Sequence, residues 1–137
     1  IADISKQVET LGGFPLPIEV IPFGWQTTKT LVEETLINLD VMGRSSALRL
    51  DRDKPFVTDE GNFILDLHLR RIGNARQVSL VLNQIPGVVE NGLFIDICDV
   101  IVIGHGDDTV ELRDINNGTV THDKIQIAED GNLFSDF

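Results

Sequence analysis

Phe63, Leu65, Leu67 and Leu69 alternate with Ile64, Asp66 and His68 in the run FILDLHL. Strict alternation places one set of side chains on each face of an extended strand. Here one face is apolar throughout and the other mostly polar. A strand of this kind belongs in a sheet with one covered face and one wetted face, which points to antiparallel pairing. Whatever covers the apolar face must itself be amphipathic, and two segments qualify. Val32, Leu36 and Leu39 fall at i, i+4 and i+7 within residues 26–41, and Val78, Val81, Leu82 and Ile85 repeat that pattern downstream. Both read as helices. The first has Gly43 as its stop; the second has Asn74 as its cap and Pro86-Gly87 as its end.

The flanking stretches supply the remaining strands. Pro15 and Pro17 hold an extended entry into a short strand over residues 18–21, and Pro22 closes it, because each proline biases its predecessor towards extended backbone and lacks an N–H. Residues 47–50 read as a strand, DRDKP as a turn, Asp59-Glu60-Gly61-Asn62 as a tight turn, and VVENGLFI as another strand. Residues 18–95 therefore run strand, helix, strand, strand, helix, strand. That order predicts a ferredoxin-like βαββαβ unit with both helices on one sheet face. DVIVIG (99–104) is different, being apolar on both faces as in a parallel sheet sandwiched by helices, and IAD at the start looks like the tail of another such strand. Neighbours for such strands are too few in this sequence.

Charge and composition narrow the function classes. Eleven Lys and Arg against 22 Asp and Glu give a net charge of −11, which leaves no basic stripe for nucleic acid or an anionic membrane. An anionic small molecule remains possible wherever a few cations and backbone N–H groups converge locally. No apolar run approaches the roughly 18 residues of a membrane span. The single cysteine, Cys98, cannot form an internal disulfide, which suits a reducing cytoplasm, and its apolar neighbours predict a buried, inert thiol.

Several local patterns carry less. His68, His105 and His122 show no ligand spacing, so no metal site is expected. Asp51, Asp53, Asp59 and Glu60 resemble a calcium loop only superficially, since Pro55 and the missing terminal glutamate break that pattern; a solvated hairpin fits better. Gly104-His105-Gly106-Asp107-Asp108 precedes a strand and reads as a hairpin turn, and Asn117-Gly118 reads as another turn.

Four blocks, IADISKQVETLGGFPLPIEVIP, VTDEGNFILDLH, IPGVVENGLF and DVIVIG, resemble in order and spacing the type A ribose-5-phosphate isomerases across residues 1–104. The resemblance implies a partial Rossmann-like α/β domain with an inserted ferredoxin-like lid: residues 1–21 and 96–137 as the remnant of the α/β catalytic domain, and 22–95 as the lid. It implies interconversion of ribose 5-phosphate and ribulose 5-phosphate through an enediolate, without a cofactor or metal, in a cytoplasmic enzyme that is a homo-oligomer when intact. The family's phosphate loop, acid pair and glutamate base have no counterpart here. With the absence of an initiator methionine at Ile1-Ala2, this leads to the expectation that the chain is the C-terminal part of the enzyme, is inactive alone, and has its catalytic residues upstream of residue 1.

One site residue carries over. Lys6, in the block Ala2-Asp3-Ile4-Ser5-Lys6, matches a substrate-binding lysine, and it follows the carboxyl end of a predicted strand, where open α/β sheets bind ligands. FGWQTTKTLVEE, FIDICDV and the C-terminal stretch from Arg113 depart from the family pattern. The alternative reading is a non-catalytic regulatory domain of ferredoxin-like fold that binds a small ligand; DVIVIG and the Lys6 block have no use in such a module.

Overall fold

The computed structural model describes residues 1–125. Residues 126–137 of the C-terminal stretch singled out above lie outside the described residues. The chain runs β1 (Ala2–Asp3), a 3-10 turn (Ile4–Lys6), β2 (Leu16–Val20), α1 (Trp25–Leu36), β3 (Ser45–Leu48), β4 (Leu50–Asp51), β5 (Lys54–Pro55), β6 (Phe63–His68), α2 (Ala75–Leu82), β7 (Val88–Asn91), β8 (Val100–Gly104), β9 (Thr109–Asp114) and β10 (Val120–Lys124). It is a mixed α/β chain divided into two compact units, residues 8–95 and residues 1–7 with the chain from Asp96 onward. No helix among the described residues is long and apolar enough to cross a membrane.

In residues 8–95 a four-stranded sheet has the order β3-β6-β2-β7, with every neighbouring pair antiparallel. The alternation in β6 does what its pattern demands. Leu65 lies opposite Ile18, and Leu67 opposite Leu16, so these side chains share the covered face. Ile18, Val20, Leu65 and Leu67 are fully buried, and they cluster with Val32 and Leu36 of α1 and Val78 and Leu82 of α2. The opposite face is polar. Arg49 clasps Asp66 through two hydrogen bonds of 3.0 and 2.6 Å, and Glu19 accepts from Thr58 and Asn62.

The helix ends show local chemistry at work. Asn74 caps α2, its Oδ1 accepting from the Gln77 N–H at 3.1 Å, as its position before the apolar repeat predicts. Helix α1 ends at Leu36, earlier than residues 26–41 suggested, though Leu39 and Val41 still pack in the core. Gly43 accordingly does not stop a helix. Its N–H donates to Leu69 O at 2.7 Å, and a Cβ there would lie 2.0 Å from the His68 carbonyl oxygen, so glycine is required for close backbone approach. At Gly87, φ is +94° and a Cβ would sit 2.2 Å from Thr28 Oγ1, so the Pro86-Gly87 turn can seat against α1 only with glycine.

The other unit is a mixed sheet of order β1-β8-β9-β10. Strand β8 pairs in parallel with β1 and antiparallel with β9, and β9 pairs antiparallel with β10. Two expectations need correcting. The domain division implied by the resemblance puts the strand at 16–20 in the α/β part; it instead lies between β6 and β7, as the strand and helix order of 18–95 has it, because its buried face completes the core under the two helices. DVIVIG was expected in a helix-covered parallel sheet short of neighbours. It has a neighbour on each side, one antiparallel, and only Ile103 of its apolar side chains is buried, since no α-helix belongs to this unit among the described residues.

Candidate functional site around Lys6

The block Ala2-Asp3-Ile4-Ser5-Lys6 folds into a strand end and a single tight turn. Ala2 and Asp3 lie beside Ile103 and Gly104 in parallel register, which makes Asp3 the carboxyl end of a parallel pair. Asp3 then caps the turn: its Oδ1 accepts from the Ser5 N–H at 2.9 Å, and the Gln7 N–H closes on Ile4 O at 3.1 Å. Hydrogen bonds from the Ser5 side chain and backbone hold the Asp3 carboxyl below its ordinary range, with smaller pulls from His105 and Lys6. Asp3 thus stays ionised, the turn stays closed, and Lys6 is carried on an exposed one-turn platform beyond the strand ends. Aspartate and serine at this spacing have a structural reason. They fix where the lysine begins.

A second constellation lies on the same sheet. Glu111 of β9 is register partner to Ile103 on one side and His122 on the other. Its carboxylate is buried at 7% exposure, takes a hydrogen bond from Arg113 Nε on one oxygen, and holds both His105 Nε2 and His122 Nε2 at 3.5 Å from the other. The Arg113 hydrogen bond is the main reason the Glu111 carboxyl sits below the usual range, opposed by desolvation and helped by the two imidazoles. The histidines looked scattered in sequence; register brings His105 and His122 to one carboxylate, while His68 belongs to the other unit. Among the described residues no group of three or more His, Cys, Asp or Glu side chains has metal-holding geometry. The Glu111 cluster is an arginine–carboxylate hydrogen bond within β9, with two imidazoles at ion-pair distance from the other carboxylate oxygen.

Cys98 corrects another expectation. The thiol is exposed, 3.2 Å from the Val100 carbonyl oxygen, because the segment before β8 runs outside any core. Both glycine-rich turns fall as read: His105 N–H bonds Thr109 O across the β8–β9 turn, and Asn117-Gly118 lies in the β9–β10 turn.

Residues 1–108 match the family model of ribose 5-phosphate isomerase A (phosphoriboisomerase A). Among curated relatives, the ribose-5-phosphate isomerase A of Ruegeria pomeroyi is 71% identical over 136 residues, covering 99% of this chain and 52% of the relative. That of Jannaschia sp. (strain CCS1) is 72% identical over 134 residues, covering 98% and 51%. Among solved structures, ribose 5-phosphate isomerase A from Methanocaldococcus jannaschii is similar at a TM-score of 0.64 and 34% identity, covering 90% of this chain and 48% of that one. A D-ribose-5-phosphate isomerase in complex with phospho-erythronic acid is similar at 0.63 and 35%, covering 90% and 47%. The chain spans about half the length of the curated relatives it matches. With the parallel β1–β8 pair, the capped Lys6 turn and a family match over residues 1–108, the chain belongs to the ribose 5-phosphate isomerase A family.

Proposed function

We propose that this chain works within an aldose–ketose isomerase that interconverts ribose 5-phosphate and ribulose 5-phosphate, with Lys6 binding the substrate. The observation that carries this reading is the turn just past the β1–β8 strand ends, where Asp3 fixes the backbone that bears Lys6. Ligands of open α/β sheets bind at the carboxyl ends of parallel strands. A lysine there supplies a localised positive charge to an anionic or oxyanionic group of a sugar phosphate. The reaction moves a proton between C1 and C2, so it needs a general base and donors that stabilise the enediolate oxygens. In this reading those groups come from outside residues 1–137, and the chain supplies binding and enclosure. The segment from 1–7 and the chain from Asp96 would belong to a Rossmann-like catalytic domain. Residues 8–95 would form its ferredoxin-like lid, a reading supported by the order β3-β6-β2-β7 with two helices on one face. We further propose a cytoplasmic homo-oligomer that needs no cofactor or metal.

The test is an aldose–ketose assay on the full-length gene product and on the 137-residue chain. Turnover by the full-length protein alone is the expected result. Substantial turnover by the 137 residues would put the acid–base chemistry in this chain and overturn the division of labour.

A further inference from the structure

Within residues 8–95, a cavity of about 270 Å³ opens between the loop at Gly12-Gly13-Pro15 and the end of the β3–β6 pair, where Ser45, His68 and Arg70 line it. Ser45 and His68 are register partners, so both side chains leave the same face of the sheet, and Arg70 follows two residues after His68. Gly12, Gly13 and Pro15 supply the rest of the lining. Gly12 adopts φ +100°, and a Cβ there would come within 3.0 Å of Arg71 and Ile72, so the loop lies flush against that segment without side-chain cover.

Three features set this cavity apart. A guanidinium, an imidazole and a hydroxyl line it, and no carboxylate does, in a chain with twice as many acids as bases. Arg70 forms no ion pair with a described residue, whereas its neighbour Arg71 is held by Asp40 at 2.5 Å and Arg49 by Asp66. Arg70 also holds φ +62°, a left-handed backbone uncommon for a branched, bulky or long side chain and suited to glycine. Strain at such a residue persists where the position does something else. Here the turn delivers a guanidinium without an ion-pair partner among the described residues to a recess that none of their carboxylates lines.

We propose that this cavity binds a phosphoryl oxyanion. Its volume lies below the roughly 300–1,000 Å³ of pockets that hold drug-sized ligands, so the occupant is small. Arg70 offers a planar fork, His68 a ring N–H and Ser45 a hydroxyl, while in the loop the Gly13 N–H already bonds Thr10 O at 3.2 Å. A tetrahedral phosphoryl group can engage several such directions together; a planar carboxylate would be served by the fork alone. The proposal concerns residues of one unit and does not rest on the isomerase reading.

The test is a ¹⁵N NMR titration of the 137-residue chain with inorganic phosphate, against malonate and against chloride at matched ionic strength. Phosphate should shift the amides of Gly12, Gly13, Ser45, His68 and Arg70 saturably. Arg70→Gly should weaken that binding by about tenfold or more while the melting temperature holds or rises, because glycine relieves the left-handed backbone as the cation is lost. Arg70→Lys, which keeps the charge, should retain measurable binding. Absence of saturable shifts at these residues, or unchanged affinity in a folded Arg70→Gly protein, would overturn the site. Equal or tighter binding of malonate would overturn its assignment to phosphoryl groups.

Discussion

At the scale of single residues, the Lys6 turn allows holding and the proposed binding to be tested apart. Lys6 is exposed and contributes little to the fold, so Lys6→Ala in the full-length enzyme should leave the melting temperature in place. A charge-assisted hydrogen bond is worth roughly 1.5–3 kcal/mol, or about one to two decades in kcat/KM. Steady-state kinetics on the variant check this, and an unchanged kcat/KM would return Lys6 to an ordinary surface role. In the proposed role Asp3 acts through the turn as a positioning residue. Asp3→Ala should lower kcat/KM, while Asp3→Asn should restore most of it, since asparagine also accepts from the Ser5 N–H. Equal losses in the two variants would show that the charge of Asp3, and not its cap, matters. The Asp3 cap was legible in the sequence because it is local: its carboxylate accepts from an N–H only two residues on. Cys98 was misread because burial is decided by packing, and apolar neighbours in sequence do not bring a core with them.

Elements show where local reading succeeds and where register defeats it. The two helices and the alternating β6 strand follow from periodicity, and the Asn74 cap from a side chain three residues before the N–H it accepts. Asn74→Ala should therefore cost about 1 kcal/mol in urea melts. Gly87→Ala should cost more, roughly 1–3 kcal/mol, because it meets both a left-handed backbone and the Thr28 hydroxyl; a smaller loss than at Asn74 would mean the turn gives way easily. The Glu111 cluster was not legible. A two-residue Asn117-Gly118 loop would pair His122 with Arg113, but Asp114 accepts from the N–H groups of Asn116 and Asn117, widening the turn and setting His122 opposite Glu111. Because Arg113 chiefly, and His122 and His105 to a lesser degree, hold the Glu111 carboxyl below its usual range, the β9–β10 hairpin should be acid-sensitive. A carboxyl whose folded pKa is depressed stabilises the fold above its ordinary pKa, about 4.3, and loses that contribution as pH falls through the folded value. Amide protection factors at Val110 and Leu112, taken relative to intrinsic exchange at each pH, should fall over that acid window, and Glu111→Gln should flatten the dependence. An identical acid profile in the variant would sink the assignment.

For the whole molecule, the informative difference is where the units divide. The boundary after residue 21 comes from the family resemblance, whereas the order of strands and helices already places residues 18–21 with 22–95. Prolines report where a strand ends; they do not report which sheet it joins. That choice is made by complementarity of buried faces, and Ile18 and Val20, both fully buried, complete the core beneath α1 and α2. A segment of residues 22–95 therefore lacks the strand that joins β6 to β7, and β7 has no other partner in the sheet. Losing the burial of Leu16, Ile18 and Val20 alone removes about 5–9 kcal/mol, at roughly 1.5–3 kcal/mol per side chain. Domain stabilities are about 5–15 kcal/mol, so a loss of that size is enough to unfold most domains. Residues 8–95 should give a dispersed ¹H–¹⁵N spectrum and a cooperative melt, whereas 22–95 should show collapsed dispersion and no sharp transition. If the shorter segment melts as cooperatively as the longer one, β2 is dispensable and the core assigned to residues 8–95 is wrong at its centre.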